Sequence, residues 1–219
     1  MSIRILVADD HKIVRDGLRI LLEQQEDMEV VGEADNGRTA VELACTLAPN
    51  IAVLDIGMPD LNGIDATKKL AADAPLVKVI ALSMHSDRRF VEGMLQAGAV
   101  GYLLKDCAFA ELARAVRTVV AGQVYLSPAI SGVLVSDYLN KSAAAAAAAT
   151  PNDVLTDRER EVLQLLAEGH GTKAVAARLH VSTKTIETHR QRMMTKLDLH
   201  SIAELTKYAV RAGITSLDQ

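Results

Sequence analysis

The chain has 219 residues, 49% of them hydrophobic and 24% charged, with a formal net charge of -4. This length suffices for two domains and a sizeable core, and the composition is ordinary for a soluble globular protein. No apolar stretch approaches membrane-spanning length and Met1-Ser2-Ile3-Arg4 lacks the features of a signal peptide, so the expectation is a cytoplasmic protein with no membrane partner.

In chain order, the first half reads as repeated strand–helix units. Strand one is Ile3–Ala8, and a helix from His11 to about Gln24 carries Val14, Leu18, Leu21 and Leu22 on one face. Strand two is Glu29–Ala34, and Asp35-Asn36-Gly37 opens a helix that ends before Pro49. Strand three is Ile51–Leu54, followed by a loop to Gly63 and a helix to Ala72. Val77–Leu82 is strand four, with a helix from Asp87 to Ala97. Gly101–Leu104 is a short fifth strand, and a last helix runs from Ala108 to about Ala121. Strands that are apolar on both faces suit a parallel sheet covered by helices, so the expected architecture is α/β, an open doubly wound sheet of flavodoxin-like order.

Residues 122–153 change character. Turn formers fill Gly122–Pro128, Ala129–Leu139 has the pattern of a short helix, and seven alanines follow at Ala143–Ala149 before Pro151. Alanine favours helix but packs no core, so this stretch reads as a linker between domains at 1–121 and 154–219. From Leu155 the pattern is helical throughout. Thr156-Asp157-Arg158-Glu159 and Ser201-Ile202-Ala203-Glu204 are capping boxes opening a first and a fourth helix. Helices at about Lys173–Leu179 and Thr183–Leu197 lie between them, with Thr172 available to cap the former and Ser182 the latter. Four short helices with tight turns make a small all-α bundle.

Residues 1–121 hold 13 Lys/Arg and 18 Asp/Glu, whereas residues 153–219 hold 10 and 9 with four of the six His. That asymmetry permits a nucleic-acid partner for the second half without demanding one. Cys45 and Cys107 are isolated, which fits buried free thiols better than a disulfide or metal site.

Asp9-Asp10, Asp55 and Lys105 each follow an apolar run, so the carboxyl ends of parallel strands would bring them to one crevice. Carboxylates there are hard ligands for Mg²⁺: Asp10 and Asp55 directly with one backbone carbonyl, Asp9 through a water. Beside such an ion Asp55 could act as a nucleophile toward a phosphoryl group, with Lys105 and Ser83 binding its oxygens. Any one of these residues alone is more simply a cap, a strand end or a solvated charge. Their joint placement favours the site.

The stretches Val7-Ala8-Asp9-Asp10-His11, Leu54-Asp55-Ile56-Gly57-Met58-Pro59, Ala81-Leu82-Ser83 and Gly101-Tyr102-Leu103-Leu104-Lys105 resemble the receiver domain of two-component response regulators. The resemblance implies that Asp55 takes a phosphoryl group from a sensor histidine kinase. It also implies that the Gly57 carbonyl joins Asp9, Asp10 and Asp55 at the metal. Ser83 and Tyr102 would be the switch pair, the ring moving inward when Ser83 engages phosphate.

In the second half, Lys173–Leu179 and Thr183–Leu197 have helix-turn-helix spacing. The later helix exposes Lys184, Thr185, Glu187, Thr188, Arg190, Gln191 and Lys196, against a core side of Ile186, Met193, Met194 and Leu197. Basic residues can neutralise phosphates, while Glu187, Thr188 and Gln191 have base-reading chemistry. Such a face is also what any solvated amphipathic helix shows. Leu155-Thr156-Asp157-Arg158-Glu159 and Val181-Ser182-Thr183-Lys184-Thr185-Ile186-Glu187-Thr188-His189 resemble the LuxR-type helix-turn-helix, and the whole chain resembles a NarL/FixJ-type response regulator. The resemblance implies double-stranded DNA as partner, contacts from Lys173 and Ser182 as well, and a homodimer when phosphorylated. Gly171 and Ala174 depart from the family's usual Asn and Glu.

Three other readings differ in class. An aspartyl-phosphate hydrolase would want a second Asp two residues after the nucleophile, where this chain has Gly57. A small-ligand sensor would want an aromatic-lined pocket, and the chain has two Phe, four Tyr and no Trp. A receiver acting only through protein partners would not bind DNA. The expectation is a regulator and not an enzyme.

Overall fold

The computed structural model describes residues 2–84, 86–132 and 155–215, without the side chains of 107–110. Most of the expected 129–139 helix and the whole alanine run fall outside the described residues. The chain divides into two units, residues 1–145 and 146–219.

In the first unit, β1 (Ile3–Ala8), β2 (Met28–Ala34), β3 (Ile51–Asp55), β4 (Lys78–Ser83), β5 (Gly101–Leu104) and β6 (Tyr125–Leu126) form one sheet in the order β2-β1-β3-β4-β5-β6. Every pairing is parallel. The strands alternate with α1 (Lys12–Glu23), α2 (Gly37–Leu47), α3 (Gly63–Asp73), α4 (Arg88–Ala97) and α5 (Lys105–Val120). Side chains alternate across a strand, so each one feeds two cores. Ile5, Val7, Ile51, Val53, Ile80 and Leu82 pack with Leu18 and Leu22 of α1 and Leu112, Val116 and Val119 of α5. Leu6, Ala8, Ala52, Leu54, Val79 and Ala81 pack on the other face, with residues of α2, α3 and α4 such as Ala40, Leu70 and Met94. Burial on both faces explains why the strands read as continuous apolar runs rather than alternating ones.

Four expectations need correction, one of them that Cys45 is buried, since its thiol is free but exposed. The sheet has a sixth strand, because the backbone of Tyr125 and Leu126 pairs with the β5 edge and Ile130 is fully buried. Packing of the first unit thus extends past residue 121 into the expected linker. The last helix of this unit also begins at Lys105, three residues earlier than the apolar periodicity indicated, so Lys105 stands in its first turn. In the second unit, Gly171 and not Thr172 is the N-cap, and no side chain caps that helix.

The second unit comprises α6 (Asp157–Ala167), α7 (Thr172–Arg178), α8 (Thr183–Leu197) and α9 (Ile202–Arg211). Both expected capping boxes form, at Thr156/Glu159 and Ser201/Glu204. One core joins the helices, with Val162, Leu163, Val175, Leu179, Ile186, Met193, Leu205 and Ala209 at its centre. Gly169 (φ 87°) supplies the left-handed turn between α6 and α7, where a β-branched residue would be strained.

Candidate functional site

Strand register assembles the first site. Ala8 lies opposite Leu54, so Asp9 and Asp55 stand one step beyond a matched pair on neighbouring strands. Asp55 lies opposite Leu82 and Ser83 opposite Leu104, which brings Ser83 and Lys105 to the same edge. This edge lies at the carboxyl ends of the strands, beside the β1/β3 switch point where the order reverses.

The side chains meet there. Lys105 Nζ is 2.7 Å from Asp9 Oδ2 and 3.0 Å from Asp55 Oδ2. Asp9 and Asp55 are buried, at 0% and 5% exposure. Lys105 is the sole side chain paired with Asp9 Oδ2 among the described residues, and this buried carboxylate oxygen keeps a second lone pair for another partner. Asp9 Oδ1 accepts the His11 backbone N–H at 2.9 Å, and Asp10 Oδ1 lies 2.8 Å from His11 Nδ1. Ligand atoms of Asp9, Asp10, His11 and Asp55 all lie within 4.8 Å of one another, a cluster of the size a cation takes. His11 was not foreseen beside this cluster, although its position next to Asp10 was a usable signal.

Burial, with the negative charges of Asp9 and Asp10 added, pushes the Asp55 carboxyl up to about 6 against the pull of Lys105. Burial alone would lower the Lys105 ammonium, yet Asp55 and Asp9 more than offset that and raise it. Tyr102 is wholly buried, and its hydroxyl, hydrogen-bonded to Ser83, is pushed up to about 12 mainly by burial. The ring is inward and on Ser83 in this structure.

The loop after β3 is set by close approach. A Cβ on Gly63 would lie 2.2 Å from the Asp55 carbonyl oxygen, and one on Gly57 would lie 3.7 Å from Asp55 Oδ2. Gly63 is therefore required for the backbone to pass. Gly57 forms an exposed rim of the site.

The second candidate surface is α8. Ser182 caps it, accepting the Thr185 N–H at 3.1 Å, and its Oγ is 2.8 Å from Thr185 Oγ1. Lys184, Glu187, Thr188 and Gln191 are exposed, Thr185 and Arg190 partly so, and Lys173 is exposed on α7. Ile186 and Met193 turn inward, with Met194 and Leu197 packed against the same core. Lys196 is exposed as expected, and its Nζ lies 2.6 Å from Glu159 Oε2. Arg192, absent from the expected contact residues, is exposed on the same side as Thr188 and Gln191. Its spacing of four from Thr188 was the available signal.

Comparison with known proteins extends both observations. Residues 5–117 match the family described as the response regulator receiver domain, and residues 153–209 match the bacterial regulatory proteins of the luxR family. The oxygen regulatory protein NreC of Staphylococcus epidermidis is 39% identical over 211 residues, covering 95% of this chain and 97% of the relative. The RcsB response regulator of Salmonella typhimurium superposes with a TM-score of 0.59 at 28% identity, over 96% of this chain and 98% of that one. A structure of the RcsB–DNA complex gives a TM-score of 0.59 at 27% identity, over 95% and 98%.

Proposed function

The chain belongs to the response regulators that join a receiver domain to a luxR-family module, DNA-binding transcription regulators under phosphorylation control, and on that premise we propose that Asp55 is its phosphoacceptor. The observation that carries this reading is the buried Asp55 carboxylate beside Asp9 and Lys105 at the sheet's carboxyl edge. A sensor histidine kinase is the phosphoryl donor in this reading. An Asp55 carboxylate oxygen attacks phosphorus, the new P–O bond forming as the P–N bond to the kinase's histidine breaks, and the departing nitrogen takes up a proton. Lys105 pairs with the charge gained, and the Ser83 hydroxyl donates to a phosphoryl oxygen.

Magnesium fits the acidic cluster, because the donors are hard oxygens and Asp9 Oδ2 keeps acceptor capacity although buried. Asp10, Asp55 and the Gly57 carbonyl would hold the ion, with Asp9 holding a water on it. When bound it neutralises charge on the incoming phosphoryl oxygens. We read the chain as a regulator and not an enzyme, since Gly57 stands where a hydrolase would place its acid–base carboxylate.

As a division of labour, residues 1–121 receive the phosphoryl group, 122–153 connect and 154–219 bind DNA, with β6 extending the receiver's sheet edge. Double-stranded DNA as partner is supported by the luxR-family match and the DNA-bound RcsB neighbour. Lys173, Lys184 and Arg190 are suited to phosphates, and Glu187, Thr188 and Gln191 to base edges, with Ser182 and Thr185 at the helix start. A homodimer of the phosphorylated form would set two α8 helices in successive major-groove faces. Among the described residues no helix is long and apolar enough to cross a membrane. In this reading the protein is cytoplasmic, because its DNA partner is there.

Selection from a random DNA pool tests the reading. Full-length protein treated with acetyl phosphate and Mg²⁺ should enrich a roughly two-fold symmetric sequence more strongly than untreated protein or Asp55→Asn. If no sequence is enriched under any condition, the transcriptional reading fails.

A further inference from the structure

Two cations one turn apart on α8 look equivalent in sequence and are placed differently. Lys196 Nζ lies 2.6 Å from Glu159 Oε2. The same oxygen accepts the Thr156 N–H at 2.8 Å and the Thr156 hydroxyl at 3.0 Å. The Glu159 side chain is only 4% exposed and that of Lys196 is 37% exposed. One residue earlier, Arg158 Nη2 donates to the Leu179 carbonyl at 2.8 Å, while its Nη1 pairs with Glu161 at 2.7 Å. Leu179 is the C-cap of α7, and Lys196 stands in the last turn of α8. The first turn of α6 thus grips both helices of the helix-turn-helix at their C-terminal ends, and these grips help set the angle between them.

Arg192 is the opposite case. It is exposed, and its side chain makes no ion pair or hydrogen bond among the described residues. It lines a shallow depression of about 280 Å³ with Thr188, Gln191, Thr195 and Lys196. A phosphate that drew Lys196 away would leave a buried carboxylate facing it uncompensated, whereas one that drew Arg192 would break nothing. The planar guanidinium also suits a phosphate's paired oxygens.

We propose that Arg192 is a DNA-phosphate contact of the α8 helix, and that Lys196, with Glu159, is a positioning residue that fixes how α8 is presented. The proposal rests on the reading of α8 as the DNA-binding helix and goes beyond it by dividing its cations into two roles.

The experiment measures binding of the full chain, treated with acetyl phosphate and Mg²⁺, to a random-sequence duplex across salt concentrations. Base preference is read in parallel from a random pool. One phosphate contact contributes a slope of about 0.9 in log affinity against log salt. Arg192→Gln should lower the slope by about that amount and leave base preference and melting unchanged. Lys196→Gln should keep the slope but weaken binding and blur base preference, and Lys196→Arg should restore both. Glu159→Gln decides between the roles. It frees Lys196 and removes a negative charge, so it tightens binding if Lys196 is a phosphate contact and weakens it if Lys196 is a positioning residue. An unchanged slope for Arg192→Gln overturns the contact. A slope lowered by Lys196→Gln, or tighter binding by Glu159→Gln, overturns the positioning role. Should the wild type show no salt-dependent binding to any duplex, the DNA-binding reading itself falls, a result distinct from these.

Discussion

Each half of the molecule holds a buried carboxylate against a lysine, and the two behave oppositely. Asp55 sits 3.0 Å from Lys105 and Glu159 sits 2.6 Å from Lys196. Burial raises both, yet Asp55 ends well above its ordinary value, at about 6, and Glu159 ends below. The difference lies in the neighbours. Asp55 shares its lysine with Asp9 and feels Asp9 and Asp10 as like charges, whereas Glu159 has its own lysine and two donors from Thr156. A carboxylate whose surroundings complete its charge holds helices together. One left short of positive charge is suited to take up a cation or an electrophilic phosphoryl group.

The largest effect that sharpens this contrast concerns Asp55 and pH. Its carboxyl titrates higher in the fold than in the unfolded chain. The stability it contributes is therefore fully present below its ordinary value of 3.8 and lost as pH rises through about 6. A rise from 3.8 to about 6 corresponds to about 3 kcal/mol. Metal-free Asp55→Asn should lose this pH dependence in urea unfolding of the receiver, and an unchanged slope would break the comparison. Mg²⁺ binding to the wild type should weaken as pH falls below about 6, because the ligand must be deprotonated.

A smaller effect of opposite sign belongs to Glu159. Its depressed carboxyl contributes stability that is present above its ordinary value of 4.5 and lost as pH falls through the lower folded one. Glu159→Gln should destabilise the helical unit by about 1–3 kcal/mol at neutral pH, by removing a charged acceptor from several donors. Its acid-induced loss should be shallower than in the wild type, and thermal melts at two pH values would show it. The smallest effect is Ser201→Ala, which removes one capping bond at the start of α9 and should cost about 1 kcal/mol. A loss as large as that of Glu159→Gln would mean that an exposed cap matters as much as the buried network.

The sheet order, the convergence of Asp9, Asp55, Ser83 and Lys105, and both capping boxes were legible in sequence because each depends on local patterning. Apolar runs mark buried parallel strands, and the residues at their carboxyl ends fall on one edge of the sheet. The rest depends on partners distant in sequence. β6 is two residues long and exists because the β5 edge is there to pair with. Glu159 stands 37 residues from Lys196, so no spacing rule announces their ion pair. The helix start at Lys105 lies outside the apolar periodicity that marked the helix body, and Gly171 serves as a cap with no side chain to signal it.

The most direct measurement is intact mass and peptide mapping after incubation with acetyl phosphate and Mg²⁺. Wild type should gain one phosphoryl group on the peptide carrying Asp55, and Asp55→Asn should gain none. Equal gain by both proteins would contradict the claim that this buried carboxylate is the acceptor.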